Sequence, residues 1–403
     1  MTTLLTSKRP AKERTTLEIE TRPPEGKQRP VVRHSLRISL LIGLVGGLSI
    51  LLIVHTILTS ILSPIPQPTT CSALLSSADY PQAVGLQPQS QQMAAVQLVN
   101  GLAGSAPAAL VQVTNQAEQN GLDVYVFGCV LRHDQPQLTQ LFAQKGLIQG
   151  TVELTPEHTL MIKNLDTRIS AGLAPFLQPL QQNVYREYAW RQDGFAQLPF
   201  AGFYPVTSQA EADALQQNAD GGQNVPWNDP VNTALQMSKD LLQWSPRPKA
   251  QLLSHTGDTT VVELTKQSPH TILLVTLKQL IQPDSTGLWF VTDARTRGML
   301  LTQPGALDQP LSMSQSSPIH FSGANALIDG QTSATLFDHT MTPVDHATGI
   351  PLTVHPDSSY SGTVSYANLA SGQQGVLLIE SLPKKENFAK ESGQILFTGI
   401  MLN

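Results

Sequence analysis

"SQQMAAVQLVNGLAG", Ser90 to Gly104, spaces its apolar residues at helical intervals. Its reading decides the class of the region around it, because the next two apolar runs read as strands. "AALVQVTNQ" (Ala108 to Gln116) and "LDVYVFGCVLR" (Leu122 to Arg132) alternate or run apolar, with "AEQNG" between them as a turn. A second helix is expected in "DQPQLTQLFAQKG", where Asp134 is placed to cap and Gly146 to stop it. "GTVELT" and "HTLMIKNL" read as one hairpin. "VYREYAWRQDGFAQLPF" (Val184 to Phe200) reads as another, turning at Asp193-Gly194. Residues 72–202 are therefore expected to form an α+β domain on an antiparallel sheet.

Toward the C-terminus, residues 203–304 are expected to form a second α+β domain. "TSQAEADALQQNAD" is a helix that Thr207 or Ser208 caps. "DPVNTALQMSKDLLQW" is a helix capped by Asp229, with Pro230 at its first position. Three long apolar-rich runs between Lys249 and Leu301 then read as an antiparallel meander. From residue 316 the character changes to short strands at regular spacing, the pattern of a β-sandwich over 316–403. "KKENFAKES" is the one helix-like interruption there.

Toward the N-terminus, "ISLLIGLVGGLSILLIVHTILTSIL" over 38–62 contains no charged residue. A bilayer core takes roughly 20 apolar residues, so this run is expected to be a transmembrane helix. The tail, 1–37, carries nine Lys or Arg against four Glu, a net +5, and no basic residue follows until Arg132. The asymmetry places the N-terminus in the cytoplasm and the rest outside a plasma membrane as a single-pass protein. The whole chain is −5, so the part beyond the tail carries −10. Residues 63–71, with Pro64, Pro66 and Pro68, read as a stiff stalk. Thr70 and Pro68 do not suit lipid attachment at Cys71, which leaves an uncleaved anchor. The fold expected overall is a single transmembrane helix plus a multidomain α+β ectodomain that ends in an all-β immunoglobulin-like sandwich.

Cys71 and Cys129 are the only cysteines. An even pair in an oxidising space points to a disulfide; the alternative is two free thiols, with Cys129 filling the inner face of a strand. Gly43 and Gly47 form a G-x-x-x-G face suited to pairing two anchors into a homodimer.

Motifs of catalysis are sparse. Ser381 to Lys384 spell S-x-x-K, but Pro383 interrupts it and a strand precedes it, so the serine lacks the helical frame that acyl-enzyme chemistry needs. His320, His339, His346 and His355, with Asp338 and Asp345, are the residues from which a metal site would be drawn, at no zinc-protease spacing. Trp190, Trp227, Trp244 and Trp289, with Tyr185, Tyr188 and Phe290, either line a carbohydrate or peptide groove or fill cores. No phosphate loop or nucleophile elbow occurs, and the acidic outer part argues against nucleic acid. No cofactor is expected, and no catalytic or metal residue is assigned.

"SPIHFSGANALIDGQTSATLFD", "YSGTVSYANLASGQQGVLLIESLPKKE" and the terminal strand "QILFTGIML" together resemble the immunoglobulin-like domain of bacterial spore-germination and related envelope proteins (the Gmad2 type). The resemblance covers about the last fifth of the chain. It implies a non-catalytic binding or assembly module and carries over no site residue. The expected function is that of a membrane-anchored scaffold, adhesion or assembly component of a bacterial envelope, with the lipid bilayer and an envelope protein or glycan as partners. A cell-wall-modifying enzyme and a signalling or division protein with an outer sensor region are the alternatives.

Overall fold

The computed structural model describes residues 70–116, 121–133, 135–169, 182–192, 194–301, 314–315 and 317–403. The architecture over these residues is mostly β-sheet. Two short helices, α1 (Cys71–Ser77) and α2 (Tyr80–Val84), lead into a four-stranded antiparallel meander: β1 (Gln91–Ala103), β2 (Ala106–Asn115), β3 (Gly121–Arg132) and β4 (Gln135–Ile148). A second meander follows, with β5 (Thr151–Leu154), β6 (Leu160–Leu165), β7 (Asn183–Arg191) and β8 (Gly194–Leu198). The two sheets face each other across Leu110, Val124 and Val126 on one side and Leu160 and Ile162 on the other. The other face of the first sheet packs Val111, Val113, Tyr125 and Phe127 against Leu75 of α1 and Tyr80 of α2.

The α+β expectation for 72–202 is thereby corrected. Both helices expected there are strands. Ser90–Gly104 lies in β1, which pairs along β2 and turns at Gly104 (φ 72°) and Ser105. "QPQLTQLFAQKG" lies in β4, paired along β3, and Gly146 (φ 68°) sits inside the strand rather than ending a helix. Asp134 lies outside the described residues. Apolar residues three and four apart fit a helix and a bulged strand alike, and each of these segments finds a long partner strand to bond with. The β7–β8 turn is also displaced by one residue. Arg191 pairs with Gly194, so Gly194 opens the strand after Gln192 (φ 49°), and Asp193 lies outside the described residues.

Two longer helices come next. α3 (Gln209–Asp220) starts at Ser208, whose Oγ accepts from the Glu211 N–H at 3.3 Å. α4 (Pro230–Leu242) starts at Asp229, whose carboxylate accepts from the Asn232 N–H at 2.7 Å. They pack on one face of the meander β9 (Lys249–Thr256), β10 (Thr259–Gln267), β11 (His270–Lys278) and β12 (Phe290–Thr296).

The remaining strands are β13 (Leu300–Leu301), β14 (Ser314–Gln315), β15 (Ile319–Ala324), β16 (Gln331–Phe337), β17 (Ile350–Pro351), β18 (Thr353–Val354), β19 (Tyr360–Val364), β20 (Gln373–Leu382) and β21 (Gln394–Leu402). A sheet ordered β13-β15-β19-β18 faces β16, β20 and β21 across a core of Phe321, Tyr360, Leu336, Leu377 and Ile379, which makes a two-sheet sandwich. "KKENFAKES" forms only a 3-10 turn, Lys385–Asn387. The sandwich is continuous with the sheet before it. β12 pairs with β21 (Ala294 opposite Phe397, Arg295 opposite Leu396), so nine described strands form one sheet that joins the β9–β12 meander to the sandwich. Phe203 stacks on Phe397 with ring centroids 6.0 Å apart, extending the α3–α4 core into the sandwich.

The expected single-pass plasma-membrane placement does not stand on this structure. Among the described residues no helix is long and apolar enough to cross a membrane. The longest, α4, has 13 residues where roughly 20 are needed. The tail over 1–37, the span over 38–62 with Gly43 and Gly47, and the stalk up to residue 69 lie outside the described residues.

Candidate functional site

The second meander and the sandwich meet through buried polar groups. Asp166, just after β6, is buried. Its Oδ1 accepts from the backbone N–H and Nε of Arg168, and its Oδ2 accepts from Arg168 Nη2 and lies 3.3 Å from His339 Nε2. Burial pushes the Asp166 carboxyl up, but the hydrogen bonds from His339 and Arg168 outweigh it and hold it well below the ordinary carboxylate range. His339 lies two residues past β16 and is itself buried, its backbone N–H donating to Gln373 Oε1 at 3.2 Å.

Two further links run beside this one. Arg186 points inward from β7, donates from Nε to the Ser371 carbonyl at 2.6 Å, and also donates to Asn164 Oδ1. Gln197 of β8 donates to the Gly372 carbonyl at 2.6 Å. Gln374 of β20, only 5% exposed, ties down the entry to the α3 region: its amide donates to the carbonyls of Phe200 and Gly202 and accepts from the Phe200 N–H. Glu211, fully buried at the start of α3, accepts from Ser208 Oγ at 2.7 Å. Burial pushes its carboxyl up, against the opposing influence of His339.

Over this junction opens a cleft of about 890 Å³. Arg168 and Ile169 form one wall; the 340–346 loop and the 365–369 loop form the others. Asp345 and His346 are exposed on its rim, while Asp338 is turned inward, its Oδ1 accepting from Thr340 and from the Thr342 N–H. The cleft is open, and its lining mixes Ile169, Val344 and Leu369 with hydroxyl, amide, imidazole, carboxylate and guanidinium groups on loops held by two sheets, an arrangement suited to a ligand with both apolar and polar groups.

The residues that the sequence singles out are distributed otherwise. Cys71 and Cys129 are bonded, tying the first turn of α1 to β3. Ser381 is fully buried on β20, its Oγ bonded to Thr332 Oγ1 at 2.8 Å and to the Leu327 N–H at 2.9 Å, while Lys384 is exposed. The four histidines do not converge: His320 meets Thr363, His355 meets Ser361, His339 meets Asp166 and His346 stands on the cleft rim. Among the described residues no three His, Cys, Asp or Glu are grouped to hold a metal ion. Trp227, Trp244, Trp289 and Phe290 belong to the α3–α4 core, and Trp190 and Tyr188 pack on the core between the first two sheets. Tyr185 lines a separate, smaller cleft beside Ser208. No common aromatic groove exists among these residues.

The junction residues Asp166, Arg186, Glu211 and Gln374 were missed. Only Arg186 left a signal, as a charged residue sharing the inward face of "VYREYAW" with Val184.

No protein-family model, curated protein or solved structure matches this chain.

Proposed function

We propose that the chain is a non-catalytic binding or assembly protein that takes a partner protein in the cleft between the second meander and the sandwich. The observation that carries this reading is the locked junction beneath the cleft. Asp166–His339, Arg186–Ser371 and Gln197–Gly372 fix two separate sheets against each other, so the loops above them are held in one arrangement. A preformed site of this kind loses little conformational entropy on binding. The resemblance of the last fifth of the chain to an assembly module of spore-germination type supports the same reading. The Cys71–Cys129 bond supports folding under oxidising conditions.

The test is cross-linking in intact cells followed by purification of the full chain and of a His346→Ala/Asp345→Asn variant. Both positions are exposed, but Ala is less at ease than His at the left-handed φ of 60° held by position 346, so stability is expected to fall by about 1 kcal/mol, with the native fold checked by circular dichroism. A partner recovered with the wild type and lost with the variant supports the cleft. Equal recovery by both removes the cleft from the function. Recovery of no protein by either, with binding in a glycan screen, replaces the protein partner by a carbohydrate.

A further inference from the structure

β1 is the outer strand of the first sheet and pairs with β2 alone among the described strands. Its register is regular from Ala95 to Val99, which face Gln112, Val111, Leu110, Ala109 and Ala108 in turn. Across 13 residues it carries no charge and no proline. Sheets of soluble proteins usually guard an open edge with such residues. Val96 and Leu98 are 46% and 49% exposed and project on one face, beside the buried Ala109 and Val111. The sheet's other outer strand, β4, carries both kinds of guard, Pro136 and Lys145.

We propose that β1 is the interface with a second copy of this chain, paired antiparallel about a two-fold axis through Gln97. In that register Val96 lies opposite the partner's Leu98, and Leu98 opposite the partner's Val96. Four apolar side chains then meet on one face and the two Gln97 side chains on the other. The occupant follows from the strand's own order: its exposed apolar pair is symmetric about Gln97, and its lack of charge brings no like charges into opposition. An isologous pairing uses the same strand of both copies, so it closes at two chains. Pairing β1 with the exposed outer strand β9 would leave an open edge at each end and grow without limit, and β9 carries Lys249 at its start and a bulge opposite Val261 and Val262.

The test uses the full chain, in which Cys71 and Cys129 are already bonded. Gln97→Cys is expected to give a disulfide-linked dimer under mild oxidation, because opposed residues of an antiparallel pair lie within disulfide reach. Met93→Cys, which this register sets opposite Gly101 of the other copy, is expected not to cross-link. Val96→Lys/Leu98→Lys sets lysines against each other and is expected to weaken self-association by about tenfold or more in sedimentation equilibrium. Three results would each overturn the proposal: no cross-link through Gln97→Cys, equal cross-linking through Met93→Cys, or an unchanged mass distribution for a lysine variant whose circular dichroism remains native.

Discussion

His339 Nε2 stands 3.3 Å from Asp166 Oδ2, although 173 positions separate the two residues in the chain. Both are buried, and the contact joins the end of β6 to the loop after β16. A charge in such a place persists because it is paired, and removing one member leaves the others without an acceptor.

Asp166→Ala is therefore expected to lower stability by about 3 kcal/mol, read from the urea midpoint at neutral pH. The pH dependence has a definite sign. The folded carboxyl titrates below its unfolded value of about 3.9, so its contribution is present above that pH and disappears as the pH falls through the folded value. Wild-type stability should drop on the acid side of about pH 4 more steeply than that of the variant. Parallel acid limbs for the two proteins would count against the pairing.

Glu211 has the opposite sign. Burial raises its folded pKa above the unfolded value of about 4.3, so its favourable contribution is present below that pH and is lost as the pH rises through the folded value. Glu211→Gln should flatten the decline of stability between about pH 4 and neutrality. The slope of midpoint against pH is the readout, and an unchanged slope would show that Glu211 does not titrate in this range.

The Cys71–Cys129 bond closes a loop of 58 positions. On the chain-entropy account a loop of that size is worth about 4 kcal/mol. Cys71→Ser/Cys129→Ser should lose about that amount in urea melts, and amide exchange should accelerate first in α1, which the bond ties to β3. A loss spread evenly over the whole fold would contradict this local role.

Ser381 is expected to be structural. Ser381→Ala strips a partner from the Leu327 N–H and the Thr332 hydroxyl and should cost about 1–2 kcal/mol. A fluorescent β-lactam should leave the wild-type chain unlabelled, since the hydroxyl is buried and bonded to Thr332 while Lys384 is exposed. Stoichiometric labelling would revive the acyl-enzyme alternative.

Much of this molecule was legible wherever the deciding interactions are local. Asp229 announces α4, and Thr207-Ser208 announces α3 with Ser208 as the residue that caps it, because a cap bonds within three residues of itself. The runs between Lys249 and Leu301 read as a meander, and "QILFTGIML" reads as the strand β21, because apolar runs of strand length are short-range properties. The cysteine pair was legible by parity alone. What only the tertiary structure decided depends on partners far away in sequence. Ser90–Gly104 and Gln135–Gly146 carry patterns that suit helix or strand, and the long ladders on β2 and β3 settled both as strands. The nine-stranded sheet depends on β12 meeting β21, about 100 residues later. The polar junction depends on Asp166, Arg186 and Gln374 losing water together, and a charged or amide residue shows that fate only where its distant partner closes over it.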